Sequence, residues 1–289
     1  MREESGMVNV RTPCDVSEFH LCEDLQRRVW GTDNPVPAHM LIAGHRNGGL
    51  LLIAFDEELP VGFCFGITGR EGDNVYFYSH MAGVLPEVQN KGVGYLLKLK
   101  QREYALRMGF NLMKWTYDPL QSRNARFNVG KLGVICRRYI ANYYGEMRDR
   151  LNAGYESDRF IAEWWLTSRR VLERIRHGGR TLTVEEVEGA TLATETERCD
   201  GGFRRIVEVR ESLNEEKVLV EIPRDIGAIR ERNMSLAVDW RRKTRVVFQS
   251  YLSKGYVVSE FATQDSGGER RSFYVLVREE LLGEELGEE

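Results

Sequence analysis

The stretch Val84–Lys98 reads VLPEVQNKGVGYLLK, and the fold turns on it. An apolar run ends at Val84. A turn with Pro86 and two glycines follows, and a helical pattern runs from about Gly92 to Met108, with Gly109 as its natural stop. Val93, Leu96, Leu97, Tyr104 and Met108 form the expected apolar side of that helix. The first backbone N–H groups of a helix have no intrahelical partner, and the positive end of the helix dipole lies behind them. Gly92 and Gly94 carry no side chain, so a diphosphate can approach those amides closely, and Gln89 and Lys91 add donors.

The kind of anion is narrowed by what the stretch lacks. It has no GxxxxGK[ST] phosphate loop. A dinucleotide fingerprint needs a third small residue, where this chain has Leu97, and a parallel βαβ setting. The runs before the turn are instead Leu50–Phe55, Val61–Thr68 and Val75–Val84. They are divided by short turn signals at Glu57–Pro60 and Gly69–Asn74, so an antiparallel meander is expected. Upstream, Val8–Arg11 reads as a short strand. Asp15 or Ser17 caps a helix to about Trp30, and Gly31–Pro37 is a loop. Downstream come a strand at Leu112–Tyr117 closed by Asp118 and Pro119, a short helix at Arg123–Leu132, and a strand at Val134–Ile140.

The pattern Gln89-x-x-Gly92-x-Gly94, after a Val84-x-Pro86 turn and within this order of elements, resembles the pyrophosphate loop of the GNAT superfamily of N-acetyltransferases. The resemblance covers about residues 7–147. It implies an α+β fold whose mixed, largely antiparallel sheet splays between Val75–Val84 and Leu112–Tyr117. It implies acetyl-CoA as acyl donor and no metal. The pantetheine arm would run along the backbone of Ala82, Gly83 and Val84. The pyrophosphate would rest on Gln89, Asn90, Lys91, Gly92, Val93 and Gly94, and Asn124 would reach the cofactor arm.

The chemistry asks for three further groups. An alkyl ammonium must lose a proton before it attacks, so a base is needed directly or through water. The thioester oxygen needs an N–H donor, which a bulge in the fourth strand would supply. The thiolate has to leave. His80 is the sharpest base candidate, placed by strand alternation on the face of Ala82 and Val84; the alternative is a strand histidine with a structural partner. Asp118 is the second, with a turn-capping role before Pro119 as its alternative. Many family members place a tyrosine acid just before a K-L-G-F turn, but here those positions are Asn128 and Val129. Tyr143 is carried as the acid candidate, beside Tyr144 and Tyr139; packing roles, or an unassisted thiolate, are the other readings.

Residues 151–289 read as a smaller α+β domain. It holds a strand at Phe160–Leu166, a basic helix at Arg169–Arg176, a strand at Val218–Ile222, a helix at Ser235–Leu252 and strands at Tyr256–Phe261 and Phe273–Val277. A strand–Pro–helix–Gly–strand order at Trp115–Ile140 and Val218–Phe261 leaves open a degenerate GNAT-like half, with chance favoured. Arg169, Arg170, Arg174, Arg176 and Arg180, like Arg241–Lys243, read as solvated helix faces, and Asp158 as half of an ion pair. Trp164 and Trp165 should point to opposite faces.

Composition fits this picture. The chain has 289 residues, 42% hydrophobic and 29% charged, enough apolar material for a core. Its net charge is −3, and the segment Glu279–Glu289 carries much of the excess acid as an expected frayed tail. That balance argues against nucleic acid and an anionic membrane as partners. The five cysteines lack metal spacing, and no apolar leader opens the sequence, so a cytoplasmic chain is expected. The acceptor expected is a small-molecule or peptide amine, and a homodimer is left open. Two other readings stand beside acetyl transfer: a non-catalytic CoA-binding sensor or regulatory module, and an interaction protein using the basic second half.

Overall fold

A computed structural model describes residues 8–145 and 154–286. The sequence division near residue 150 and the tail residues 287–289 lie outside them. By packing, the chain falls into two units, one ending at Trp115 and the other taking the described segments 116–145 and 154–286. The sequence division followed a change of composition. The packing division follows which strands share a core, and it falls inside one strand.

The first unit is a mixed α/β layer structure. Its strands are β1 (Asn9–Arg11), β2 (Leu50–Asp56), β3 (Leu59–Glu71), β4 (Asn74–Val84) and β5 (Leu112–Tyr117), in that order across the sheet. The first four pair antiparallel, as the short turns require, and β5 joins β4 in parallel. The first helix, α1 (Val16–Trp30), starts on Asp15, whose side chain accepts from the Ser17 and Glu18 N–H groups, and stops at Gly31. A helix absent from the sequence reading, α2 (Ala38–Arg46), follows the Gly31–Pro37 loop. Both cover one face of the sheet, closing a core of Phe19, Leu25, Leu41, Ile53, Phe63 and Phe65. On the other face lies α3 (Val93–Arg107).

The buried stripe of α3 is Val93, Leu97, Lys98, Gln101 and Ala105. It differs from the expected one. Met108 is 51% exposed, and two polar residues take inward positions. A buried lysine is the more informative deviation, because an isolated ammonium loses its hydration on burial.

The second unit is built on a hairpin of β13 (Tyr256–Ser266) and β14 (Glu269–Arg278). Its sheet runs β7 (Arg159–Trp165), β6 (Ile135–Ile140), β13, β14, β12 (Lys217–Ile222), β9 (Ala190–Leu192). A short β8 (Leu182–Thr183) adds to β13, while β10 (Thr194–Arg198) and β11 (Arg204–Val209) form a separate ribbon. The helices are α4 (Ser122–Ala125), extended by a π-helical turn at Arg126–Lys131, α5 (Arg169–His177), α6 (Ile226–Arg232), α7 (Met234–Ser253) and α8 (Gly283–Leu286).

Several expectations for this unit need correcting. The segment Gln264–Arg270, whose glycines and charges read as a loop between the last two strands, is mostly strand, because the hairpin turns tightly on Gly267 and Gly268, both at positive φ. Arg170, Arg174 and Arg241 are buried rather than solvated. Each has a carboxylate: Glu260 for the first two and Asp118, at 2.6 Å, for Arg241. The start of the acidic tail is anchored, with Leu282 buried, Glu279 on Arg137 and Glu285 on Arg170. Asp158 is the ion-paired residue expected, held by Arg245 at 2.7 Å. Trp164 is fully buried and donates to the Leu132 carbonyl, while Trp165 is half-buried.

Candidate active site

The ladder between β4 and β5 is two pairs long, Phe77↔Met113 and Tyr78↔Lys114. Beyond it, β4 runs on to Val84, paired on its other side to β3. The fork starts where β4 is irregular. On the β3 side Phe65 faces Met81 and Ile67 faces Tyr78, so Ser79 and His80 together oppose Gly66. This is the bulge the chemistry called for. Gly66 suits the position because a Cβ there would lie 2.3 Å from the Phe77 ring.

The bulge also re-aims His80. Its ring meets Tyr78 at 6.1 Å and Phe65 at 6.4 Å between centroids, and Phe65 belongs to the core under α1 and α2. Ala82 stands opposite Cys64, whose thiol points to the Leu97 carbonyl of α3. The expectation that His80 shares a face with Ala82 and Val84 is therefore corrected, since an extra residue in the strand shifts the alternation. His80 is exposed on the strand, and the desolvation its ring does meet lowers its pKa, favouring the neutral imidazole.

At the far end of β4, Gln89 donates to the Val84 carbonyl at 3.0 Å and ties the loop to the strand. Asn90 and Gly92 take positive φ, 65° and 89°. No Cβ clash would bar a side chain at Gly92, so its backbone angle is what calls for glycine. The N-terminus of α3 has no capping side chain and no acid in its first turn. Its free N–H groups and the exposed Asn90, Lys91 and Gly92 leave an open cradle of positive potential. A Cβ on Gly94 would meet only Val84, at 3.6 Å.

At the vertex of the fork lies Lys98, which the sequence reading missed. Its Nζ donates to Ser79 Oγ at 2.7 Å and stands 3.6 Å above the Trp115 ring. Ser79 in turn donates to Gln101 Oε1 at 2.7 Å. Burial pushes the Lys98 pKa down to about 7, against a weaker opposing pull from Cys64. The signal in the sequence was a lysine in helical register with Gly94, Gln101 and Ala105.

The other candidates lie in the second unit. Asp118 is buried, accepts from Arg241 and from the Leu120 N–H, and is held ionised against its burial by that arginine. A carboxylate so held is a poor proton acceptor and a good turn cap. Asn124 is exposed on α4. Tyr143 and Tyr144 are 40% and 42% exposed and pack edge to face, with the Tyr144 hydroxyl 2.9 Å from Thr116 Oγ1. Tyr139 is buried, donates to Asp158 and stacks on Phe248, and burial holds its proton on. Among the described residues no cluster of His, Cys, Asp or Glu is placed to hold a metal, and no helix is long and apolar enough to cross a membrane. All five cysteines are free thiols.

No protein-family model matches the chain, and no curated protein matches it. Solved structures do. The solved structures this chain resembles are GNAT acetyltransferases. A putative GNAT-family acetyltransferase from Desulfovibrio desulfuricans is 15% identical over 56% of this chain and 100% of its own, with a TM-score of 0.44. A putative acetyltransferase from Salmonella typhimurium, solved with acetyl-CoA, is 16% identical over 55% and 94%, with a TM-score of 0.44. A GNAT-family acetyltransferase from Streptococcus pneumoniae is 14% identical over 54% and 98%, with a TM-score of 0.45. The rest of the chain is a further domain.

Proposed function

We propose that the chain transfers an acetyl group from acetyl-CoA to an amine by direct attack in a ternary complex. The observation that carries this reading is a coincidence on one strand. The β4–β5 ladder ends at Tyr78, the β4 bulge begins at Ser79, and β4 ends at an uncapped helix N-terminus. From Ser79 to Val84 the strand advances roughly 17 Å. An extended arm with a thioester at one end and a diphosphate at the other fits that run.

In this reading the amides of Gln89–Gly94 and the first turn of α3 hold the diphosphate, with Lys91 adding charge. The backbone of Ala82, Gly83 and Val84 pairs with the arm as β5 no longer does. A bulge N–H receives the thioester oxygen as it gains charge. His80, neutral near pH 7, takes the proton from the attacking amine, directly or through a water. Cys64, the cysteine opposite Ala82, does not support a covalent acyl-enzyme: burial pushes it up to about 12, away from the thiolate.

Thermal shift with acetyl-CoA, CoA and longer acyl-CoAs tests the donor. At 100 times the dissociation constant a ligand adds about 2.7 kcal/mol of stability, a visible rise in melting temperature. Thiol release over a panel of alkyl amines and peptides with free N-termini then tests the reaction. Binding without thiol release from any amine would favour the sensor reading; no shift with any acyl-CoA would remove the donor site altogether.

A further inference from the structure

We propose that the Lys98 ammonium delivers the proton to the thiolate that leaves acetyl-CoA, the task for which the expected tyrosine is missing at Asn128 and Val129. This rests on the acetyl-transfer reading above. The first argument is position. Extending the β4–β5 register by one step past Tyr78↔Lys114 would set Ser79 against Trp115. Lys98 Nζ touches both, at 2.7 Å to the Ser79 hydroxyl and 3.6 Å to the Trp115 ring. It therefore occupies the first missing rung, at the vertex where the acyl end of an arm lying along β4 would arrive.

The second argument is chemical balance. The groups around Nζ are Cys64 from β3, Ser79 from β4, Trp115 from β5 and Gln101 from its own helix. None is a carboxylate. Gln101 Nε2 is itself buried without a partner. The cluster has more donors than acceptors, the mirror image of what a sulfur anion offers. The third argument is rigidity. Gly94 and Lys98 lie four residues apart on α3, hence on one side of the helix, so one element carries both the phosphate cradle and the vertex. A group poised near 7 suits proton transfer at neutral pH.

The step balances. The acceptor nitrogen forms the C–N bond, and the carbonyl oxygen briefly holds the displaced pair. When that pair returns, the C–S bond breaks with its electrons on sulfur. A proton from Lys98 Nζ passes to sulfur, giving the CoA thiol and a neutral Lys98 amine. The proton lost by the acceptor goes to His80 or water, and exchange with solvent restores the ammonium.

The test compares CoA with desulfo-CoA, by calorimetry and by ultraviolet absorbance, in the natural chain and in Lys98→Met, a substitution of similar length. In the natural chain bound CoA should show no thiolate absorbance at any pH where free CoA shows none, because the proton rests on sulfur; a bound thiolate there would mean that Lys98 keeps its proton and would overturn the proposal. Desulfo-CoA should bind both proteins equally. With an amine found by the thiol-release panel, Lys98→Met should lower turnover about 100-fold or more. It should recover most of that loss with an acetyl thioester of a more acidic thiol, which needs no proton to leave. Lys98→Gln should behave as Lys98→Met does, which guards against a folding defect peculiar to one variant. Unchanged turnover would overturn the proposal, as would equal loss with both thioesters or loss of desulfo-CoA affinity, which would make Lys98 a prop between strands. If the natural chain binds no CoA, the acetyl-transfer reading itself has failed.

Discussion

The buried cations of the two units are treated differently. In the second unit three of them pair with acids: Arg241 with Asp118, and Arg170 and Arg174 with a shared Glu260. Those arginines stay charged and hold elements together: Arg170 also donates to the Gly133 carbonyl, and Arg241 lies over the Tyr155 ring at 4.4 Å. In the first unit Lys98 is as deeply buried but meets a hydroxyl, an amide oxygen and an indole face. An arginine paired with a carboxylate keeps its proton. A cation buried among neutral groups keeps its proton loosely, and a lysine, unlike an arginine, can release it. The difference separates a site of cohesion from a site of reaction.

The comparison breaks most sharply on stability. Arg241→Met should cost about 3–5 kcal/mol, because it leaves the Asp118 carboxylate buried and unpaired. Lys98→Met should move the other way and raise the denaturant midpoint at neutral pH. A fall in both, or in neither, would erase the distinction.

A pH series sharpens it. Lys98 loses its proton near 7 in the folded chain and near 10.5 when unfolded. Between those values the unfolded chain binds more protons, so this group makes stability rise with pH across that window. The gain is on the order of 5 kcal/mol in full, judged from the size of the shift. Chemical denaturation at several pH values should show the slope in the natural chain and its flattening in Lys98→Met; equal slopes would mean that Lys98 is not the titrating group.

Next in size is His80→Ala, expected to lower turnover about 100-fold with unchanged acetyl-CoA affinity. Equal kinetics would leave water as the base. The smallest effect belongs to Arg169, which pairs with Glu173 on the exposed side of the same helix that buries Arg170 and Arg174. Arg169→Ala should change stability by less than about 0.5 kcal/mol.

Much of the first unit is legible from its punctuation. Pro86, Gly92, Gly94 and Gly109 mark the loop and helix, and the turns at Glu57–Pro60 and Gly69–Asn74 mark the meander, because backbone constraints act locally. The bulge at Ser79–His80 is not legible. It depends on Gly66 and Phe77 meeting across two strands, and alternation alone sets His80 on the wrong face. The helix α2 is hidden because AHMLIAGHR lacks a capping side chain. Lys98, Arg170 and Arg241 read as surface residues because their burial is decided by partners distant in sequence. The Glu260 and Asp118 that pair with the arginines carry no local signal, and among the described residues Lys98 has no such carboxylate partner.

The central claim, that α3 and β4 hold a CoA diphosphate, is tested most directly by calorimetric titration of acetyl-CoA into the natural chain and Gly94→Asp. The substitution is well placed. A Cβ has room at Gly94, and an acid in the first turn of a helix favours the fold while opposing an anion. The natural chain should bind one acetyl-CoA and Gly94→Asp none, at equal thermal stability. Equal affinity in the two proteins, or no binding in the natural chain, would contradict it.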